Sequence, residues 1–189
     1  MLSKKFKEKR AQVSSGELLM ACFIFFLVLI MAITIWNNTT EKIKGSERFY
    51  DLEETAVDIS EKLVRTEGVP SGWSKENVTV IGLANEPRVL DQGKILEFLD
   101  MMNDSAFNNP PCNDPGISNY ECNKHILGIG KYEFYFTLED INGTTIEIEN
   151  ISCYTGKEPQ NETEKLTVTR TAILNNKIVR MVLTLWYEY

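Results

Sequence analysis

The apolar positions of this chain fall into three regimes. From Leu18 to Trp36, 19 consecutive residues carry no charge. At a rise of about 1.5 Å per helical residue the run spans about 28 Å, close to the ~30 Å hydrocarbon core of a bilayer. A buried helix of a soluble protein would show a polar face, and this run shows none. It predicts a membrane helix over 12–36. From Ile43 the spacing changes to threes and fours: Ile43, Phe49, Leu52, Ala56, Ile59 and Leu63, with charges between them. That pattern predicts an amphipathic helix over 37–66. No proline interrupts 16–69. The two helices are therefore expected to join into one of about 50 residues, with Gly45 its weak point.

The third regime, 67–189, is mixed. Gly68, Pro70 and Gly72 end the helical pattern. Val78, Val80 and Ile81 suggest a short strand. Asp91 is placed to cap a second helix whose face is Ile95, Phe98, Leu99 and Met102. Residues 103–124 are dense in Asn and Pro and predict a loop. Beyond it Tyr132, Phe134, Phe136 and Leu138 alternate with more polar residues, and Asn142-Gly143 signals a two-residue hairpin before Ile146, Ile148 and Ile151. The last hairpin can be registered from its own residues. With Asn175-Asn176 at the turn, Leu166 faces Leu185, Val168 faces Leu183 and Ala172 faces Val179. The opposite face then pairs Thr167 with Thr184, Thr169 with Val182 and Thr171 with Arg180. Arg170 breaks the apolar face opposite Met181 and is expected to reach an edge or a carboxylate of the first helix. The fold class is α+β: a long N-terminal helix packed on a C-terminal, mostly antiparallel β-sheet head.

Charge adds topology. The net charge is −7, yet Lys4, Lys5, Lys7, Lys9 and Arg10 stand against only Glu8 in the first ten residues. The rest is acidic, which disfavours nucleic acid as a partner, since neutralising phosphates takes clustered cations. Basic residues before the apolar run place the N-terminus in the cytoplasm and the head outside, in contact with membrane lipid only through one helix. Trp36 suits the outer interface. An ordinary secretory signal has an apolar region of about 7–15 residues and a small-residue cleavage site after it. Here the run is longer, and no such site follows.

Lys9-Arg10-Ala11-Gln12-Val13-Ser14, with Glu17 just before the apolar run, resembles the class III signal peptide of archaeal type IV pilin-like proteins. The resemblance covers about 25 residues. It implies that a prepilin-type peptidase cuts on the cytoplasmic side, between Ala11 and Gln12, removes the basic leader 1–11 and leaves the apolar helix in place. It also implies a filament-forming function, with other pilin-like subunits or the chain itself as partners. Glu17 is the sixth residue after that cut, where the family usually has its glutamate fifth. In a stack of such helices Glu17 would meet the new α-amine of a neighbour. Alone, it would cap its own helix and favour the helix dipole. Gly68-x-Pro70-x-x-Trp73, then Gly82-Leu83-Ala84 and Lys94, is similar to a segment that recurs in archaeal pilin-like membrane proteins. The residues themselves suggest a turn with Trp73 in the core.

The cysteines follow from topology. Cys112 and Cys122 flank the Asn- and Pro-rich loop, and outside the cell they are expected to form a disulfide. Cys153 is then left single, or paired with another subunit, and Cys22 is a small apolar residue of the membrane helix. Asn-x-Ser/Thr occurs at Asn37, Asn38, Asn77, Asn103, Asn142, Asn150 and Asn161, seven times where this composition gives about two by chance. All seven follow the apolar run, as an external glycoprotein would place them. The chain has one histidine, His125, and no H-E-x-x-H, G-x-S-x-G or C-x-x-C. The acidic residues are scattered as on solvated faces. Neither an enzyme nor a metal or cofactor is expected. The rival to a filament subunit is a single-pass anchored external domain that binds a partner without polymerising.

Overall fold

The computed structural model describes residues 3–106, 116–160 and 164–187, with side chains from residue 16 onward. Its elements are α1 (Ser3–Arg65), β1 (Ala84–Glu86), β2 (Val89–Leu90), α2 (Gln92–Asn103), α3 (Asn119–Leu127), β3 (Tyr132–Glu139), β4 (Glu147–Ile148), β5 (Ile151–Ser152), β6 (Tyr154–Gly156), β7 (Lys165–Leu174) and β8 (Lys177–Tyr187). The chain divides into two compact units, 1–48 and 49–189.

α1 is one helix of 63 residues. Asn37-Asn38-Thr39-Thr40 does not break it; the hydroxyls of Thr39 and Thr40 fold back to donate to the carbonyls of Ile35 and Trp36 at 2.8 and 2.9 Å, within the helix. Gly45 does not break it either. The predicted amphipathic face is only partly right. Leu52, Ala56, Ile59 and Leu63 are buried, but Ile43 and Phe49 are 53% and 46% exposed. The stripe begins to face the core at Leu52, because the periodicity of a helix runs on past the point where the head covers it.

In the head, six strands form a mostly antiparallel sheet in the order β1-β2-β7-β8-β3-β6, and β4 and β5 form a separate pair. The β7–β8 register is the one the residues require: Leu166↔Leu185, Val168↔Leu183 and Ala172↔Val179 on one face, Thr167↔Thr184, Thr169↔Val182 and Thr171↔Arg180 on the other. Asn175 and Asn176 both have positive φ (50° and 63°), the two-residue turn whose twist matches the strands. Arg170 meets α1 as expected: its Nε donates to Ser60 Oγ at 3.1 Å and lies 3.5 Å from Glu61 Oε1. The core face of β3 is Tyr132, Phe134, Phe136 and Leu138, all 0–1% exposed. Asp91 caps α2 by accepting from Lys94 N at 2.9 Å, and Ile95, Phe98, Leu99 and Met102 are buried beneath it.

Four local expectations change. Val78–Ile81 is not a strand. Val80 makes a single bridge to Val69, and the pairing passes to β1 and β2. The expected loop ends in α3, capped by Ser118 Oγ accepting from Glu121 N at 3.2 Å and stopped by Gly128 in the left-handed region. Asn142-Gly143 is not a two-residue hairpin turn. Asp140 accepts from the N–H of Asn142 and of Thr144 at 2.8 and 2.9 Å, and Gly143 N–H closes onto Asp140 O at 3.2 Å. An Asp two residues upstream thus sets the turn, with positive φ only at Gly143. Finally, Glu133, on the polar face of β3, is 1% exposed rather than solvated.

Candidate functional site

The apolar stretch of α1 is the most unusual surface of the molecule. Its large apolar side chains from Leu18 to Trp36 are 41–74% exposed, and none packs into the core. The most apolar 18-residue window has a mean hydropathy of 3.1, long and apolar enough to cross a membrane once. Ala11 and Gln12 lie within α1, in the part whose side chains are not described. Glu17 is exposed at the lip of the apolar stretch, and no described residue bonds to it.

The second feature is where α1 ends. Its last carbonyls would be orphaned at a buried helix end. Backbone N–H groups of the following segment take them: Leu83 donates to Leu63 O at 2.9 Å, Arg88 to Val64 O at 2.7 Å and Ala84 to Thr66 O at 3.1 Å. The residues singled out in the sequence come together here. Trp73 is 3% exposed and its indole N–H donates to Gly82 O at 2.8 Å. A Cβ on Gly82 would sit 2.3 Å from Thr66 O, so only glycine lets the chain pass so close to the helix end. Lys94 is buried, and its ammonium donates to the carbonyls of Glu67 and Ala84, both at 2.9 Å. The ammonium thus ties the segment just after α1 to the start of β1. An open groove of about 500 Å³ beside this knot is lined by Glu67, Ser71, Trp73, Asn85, Asp91 and Lys94. Trp73, Asp91 and Lys94 are already engaged in holding the fold, so the motif acts as a seat for the end of α1.

Two polar clusters escaped the sequence. Glu133 Oε1 meets the Lys124 ammonium and lies 3.3 Å from Lys157 Nζ, while Glu133 Oε2 accepts from Tyr120 O–H at 2.8 Å. This buried pair ties α3 to β3. Asp51 on α1 accepts from Lys131 and, at 2.5 Å, from Tyr132 O–H. These bonds, Lys131 first, hold the Asp51 carboxyl below its usual range. The signals were faint: Ser118-x-x-Glu121 has the spacing of a capping box, but it lies in Asn- and Pro-rich surroundings.

Of the cysteines, Cys22 and Cys153 are free, and burial pushes the Cys153 thiol up to about 11. Cys122, on α3, is disulfide-bonded. Cys112 lies outside the described residues. Of the sequons, Asn37 and Asn38 lie on α1, Asn77 in a turn, Asn103 at the end of α2, and Asn142 and Asn150 in turns, all exposed; Asn161 lies outside the described residues. His125 is exposed on the last turn of α3. Among the described residues, no group of three or more His, Cys, Asp or Glu side chains gathers to hold a metal ion. No family model matches the chain, and no curated protein or solved structure is significantly similar to it.

Proposed function

We propose that the chain is a membrane-anchored, pilin-like surface subunit, processed before Gln12 and assembled through its apolar helix. The observation that carries this reading is α1: a helix uninterrupted from Ser3 to Arg65, apolar and uncovered from Leu18 to Trp36, and seated in the head from Leu52 to Leu63. A plain anchor needs only the apolar part. A helix that continues unbroken into the head and is locked at its end by the Trp73–Gly82–Lys94 knot suits a subunit that passes force between the two. The resemblance of Lys9–Ser14 and Glu17 to a class III signal peptide supplies the peptidase and the filament partners. The basic leader supports a cytoplasmic N-terminus and an external head.

Mass spectrometry of the N-terminus, on protein recovered from the membranes of its own cells, tests the reading. The expected first residue is Gln12. An intact Met1 removes the pilin-like reading and leaves a single-pass anchored domain that binds a partner without polymerising. Glu17→Gln then tests assembly. If a neighbour's amine pairs with Glu17, the substitution leaves that amine buried without a counter-charge, a loss of order 3 kcal/mol or more per contact. The yield of sheared filaments or crosslinked oligomers falls, at equal membrane levels. Equal yields remove Glu17 from the assembly contacts; since α1 already begins at Ser3, Glu17 lies inside the helix and does not cap it, contrary to the expectation from sequence. The disulfide proposed between Cys112 and Cys122 is read by peptide mapping without reduction.

A further inference from the structure

Six large apolar side chains of the described head beyond α1 are exposed: Val69, Ile141, Ile151, Tyr154, Ile173 and Ile178. Three of them, Ile141, Ile151 and Tyr154, lie within the short segment 141–154. Two sequon asparagines, Asn142 and Asn150, are immediate neighbours of two of these three. The structure separates the sequons by what their carboxamides already do and by the backbone that carries them. Asn77 Oδ1 accepts from Ser74 N at 2.8 Å, and Asn103 Oδ1 accepts from Thr155 Oγ1 at 2.9 Å. Both side chains are pinned to the fold. Asn142 Nδ2, the atom a sugar would join, points to Asp140 Oδ2 at 3.4 Å. Asn37 and Asn38 sit on the continuous α1. Asn150 differs. It is exposed at the tip of the β4–β5 hairpin, with φ +66° in the two-residue turn Glu149-Asn150. Its carboxamide makes no hydrogen bond to any described residue.

We propose that Asn150 carries an N-linked glycan, and that this glycan covers the exposed side chain of Ile151, the next residue on the β4–β5 hairpin. Ile151 is 49% exposed and Tyr154 is 51% exposed. Apolar side chains left uncovered on an external domain invite association with other surfaces. A bulky, solubilising group attached at the next residue covers them while its hydroxyls face water. The donor is a lipid-diphosphate-linked oligosaccharide acting with a separate transferase. Asn150 Nδ2 attacks the anomeric carbon, the carbon–nitrogen bond forms and the bond from that carbon to the phosphate oxygen breaks. The phosphate leaves with the electron pair, and the amide proton passes to a base on the transferase. The hydroxyl at Ser152 completes the acceptor motif.

The proposal rests on the external placement of the head, and the test separates the two. The full chain is recovered from its own cells, and its glycopeptides are mapped by mass spectrometry. In parallel, intact cells are labelled with a membrane-impermeant amine reagent, read at the exposed Lys177. The expected result is Lys177 labelled and Asn150 occupied in most molecules, at several-fold higher occupancy than Asn77 or Asn103. Asn150→Gln and Ser152→Ala each remove the same mass step, and Ser152→Thr restores it. Labelled Lys177 with bare Asn150 overturns the glycan and leaves the topology standing. Unlabelled Lys177 with bare Asn150 overturns the topology, and the glycan with it. Occupancy at Asn77 or Asn103 equal to that at Asn150 overturns the selection by side-chain engagement.

Discussion

Between Leu18 and Trp36, α1 leaves its large apolar side chains 41–74% exposed; between Leu52 and Leu63 the same helix buries Leu52, Ala56, Ile59 and Leu63 to 5% exposure or less. The residue types overlap and the backbone is the same. What differs is the partner. The second stretch turns one stripe to the β-sheet and keeps Glu53, Glu54 and Asp58 in water. The first is apolar on every side, and its large side chains are exposed all round. Covering one helix face would not be enough. Such a segment is at rest only when its whole circumference is out of water, as in lipid or among like helices. The comparison teaches that composition around the helix, more than the number of apolar residues, decides what must surround it.

The comparison breaks most sharply if charge is placed in the first stretch. Leu27→Arg together with Met31→Arg adds about 2.5–3.5 kcal/mol each to the insertion free energy, or about 5–7 kcal/mol together. The expected outcome is release from membranes on alkaline carbonate extraction, with the head still folded. Retention of the double variant would show that something other than this run holds the protein. The second stretch is tested by truncation. Leu63→Ala removes a fully buried side chain and leaves a cavity, with an expected loss of about 2–5 kcal/mol in head stability. Denaturant melts of the full chain in detergent measure it. Leu27→Ala in the same assay leaves the head transition where it was, because Leu27 is 50% exposed and no part of the head core. A shift as large as that of Leu63→Ala would erase the distinction between the stretches.

How much of this was legible depends on how many signals agreed. The β7–β8 register could be read because both faces argue for it: a slip by one residue would set Leu and Val against Thr. Arg170 could be read because a cation on an apolar face must find a partner, and Glu61 lies in reach. Asn142-Gly143 misled because the turn is decided by Asp140, whose carboxylate draws two N–H groups to itself. Glu133 looked solvated because strand alternation says which face a residue takes, not what covers that face; Tyr120 and Lys124 of α3 reach it. Ile43 and Phe49 looked buried because periodicity continues beyond the contact. The seat of α1 was visible as separate residues, Gly68, Trp73, Gly82 and Lys94. Their common purpose needed the backbone bonds at 63–66, which no spacing encodes.

The seat offers a smaller test. Trp73→Phe keeps most of the apolar bulk and removes the indole N–H, leaving Gly82 O without its 2.8 Å donor. A buried carbonyl left unpaired costs about 1–3 kcal/mol. The head transition is expected to fall by that amount, less than for Leu63→Ala. Amide exchange at Leu83, Ala84 and Arg88, whose N–H groups hold the end of α1, should speed up more than exchange in β8. Uniform loosening across the head would mean that Trp73 serves the whole core rather than the seat.

The smallest effect is expected from a residue the sequence would place in the core. Ile43 continues the helical stripe that later buries Leu52 and Leu63, and periodicity alone ranks it beside them. It is 53% exposed and belongs to the unit 1–48. Ile43→Ser therefore removes almost no buried area from the head. The transfer term is close to nothing, no cavity forms, and the remaining cost is the small helix-propensity difference between Ile and Ser. The head transition is expected to move by less than about 0.5 kcal/mol. The same substitution type at Leu52, 1% exposed, puts a hydroxyl without a partner into the core and costs several-fold more. If Ile43→Ser left head stability unchanged but lowered the yield of crosslinked oligomers, its apolar surface would serve contacts between subunits, and the stripe would be continuous in purpose as well as in sequence. If it destabilised the isolated chain as much as the Leu52 change, the head would reach further along α1 than Leu52, and the boundary between the two stretches would have to be redrawn.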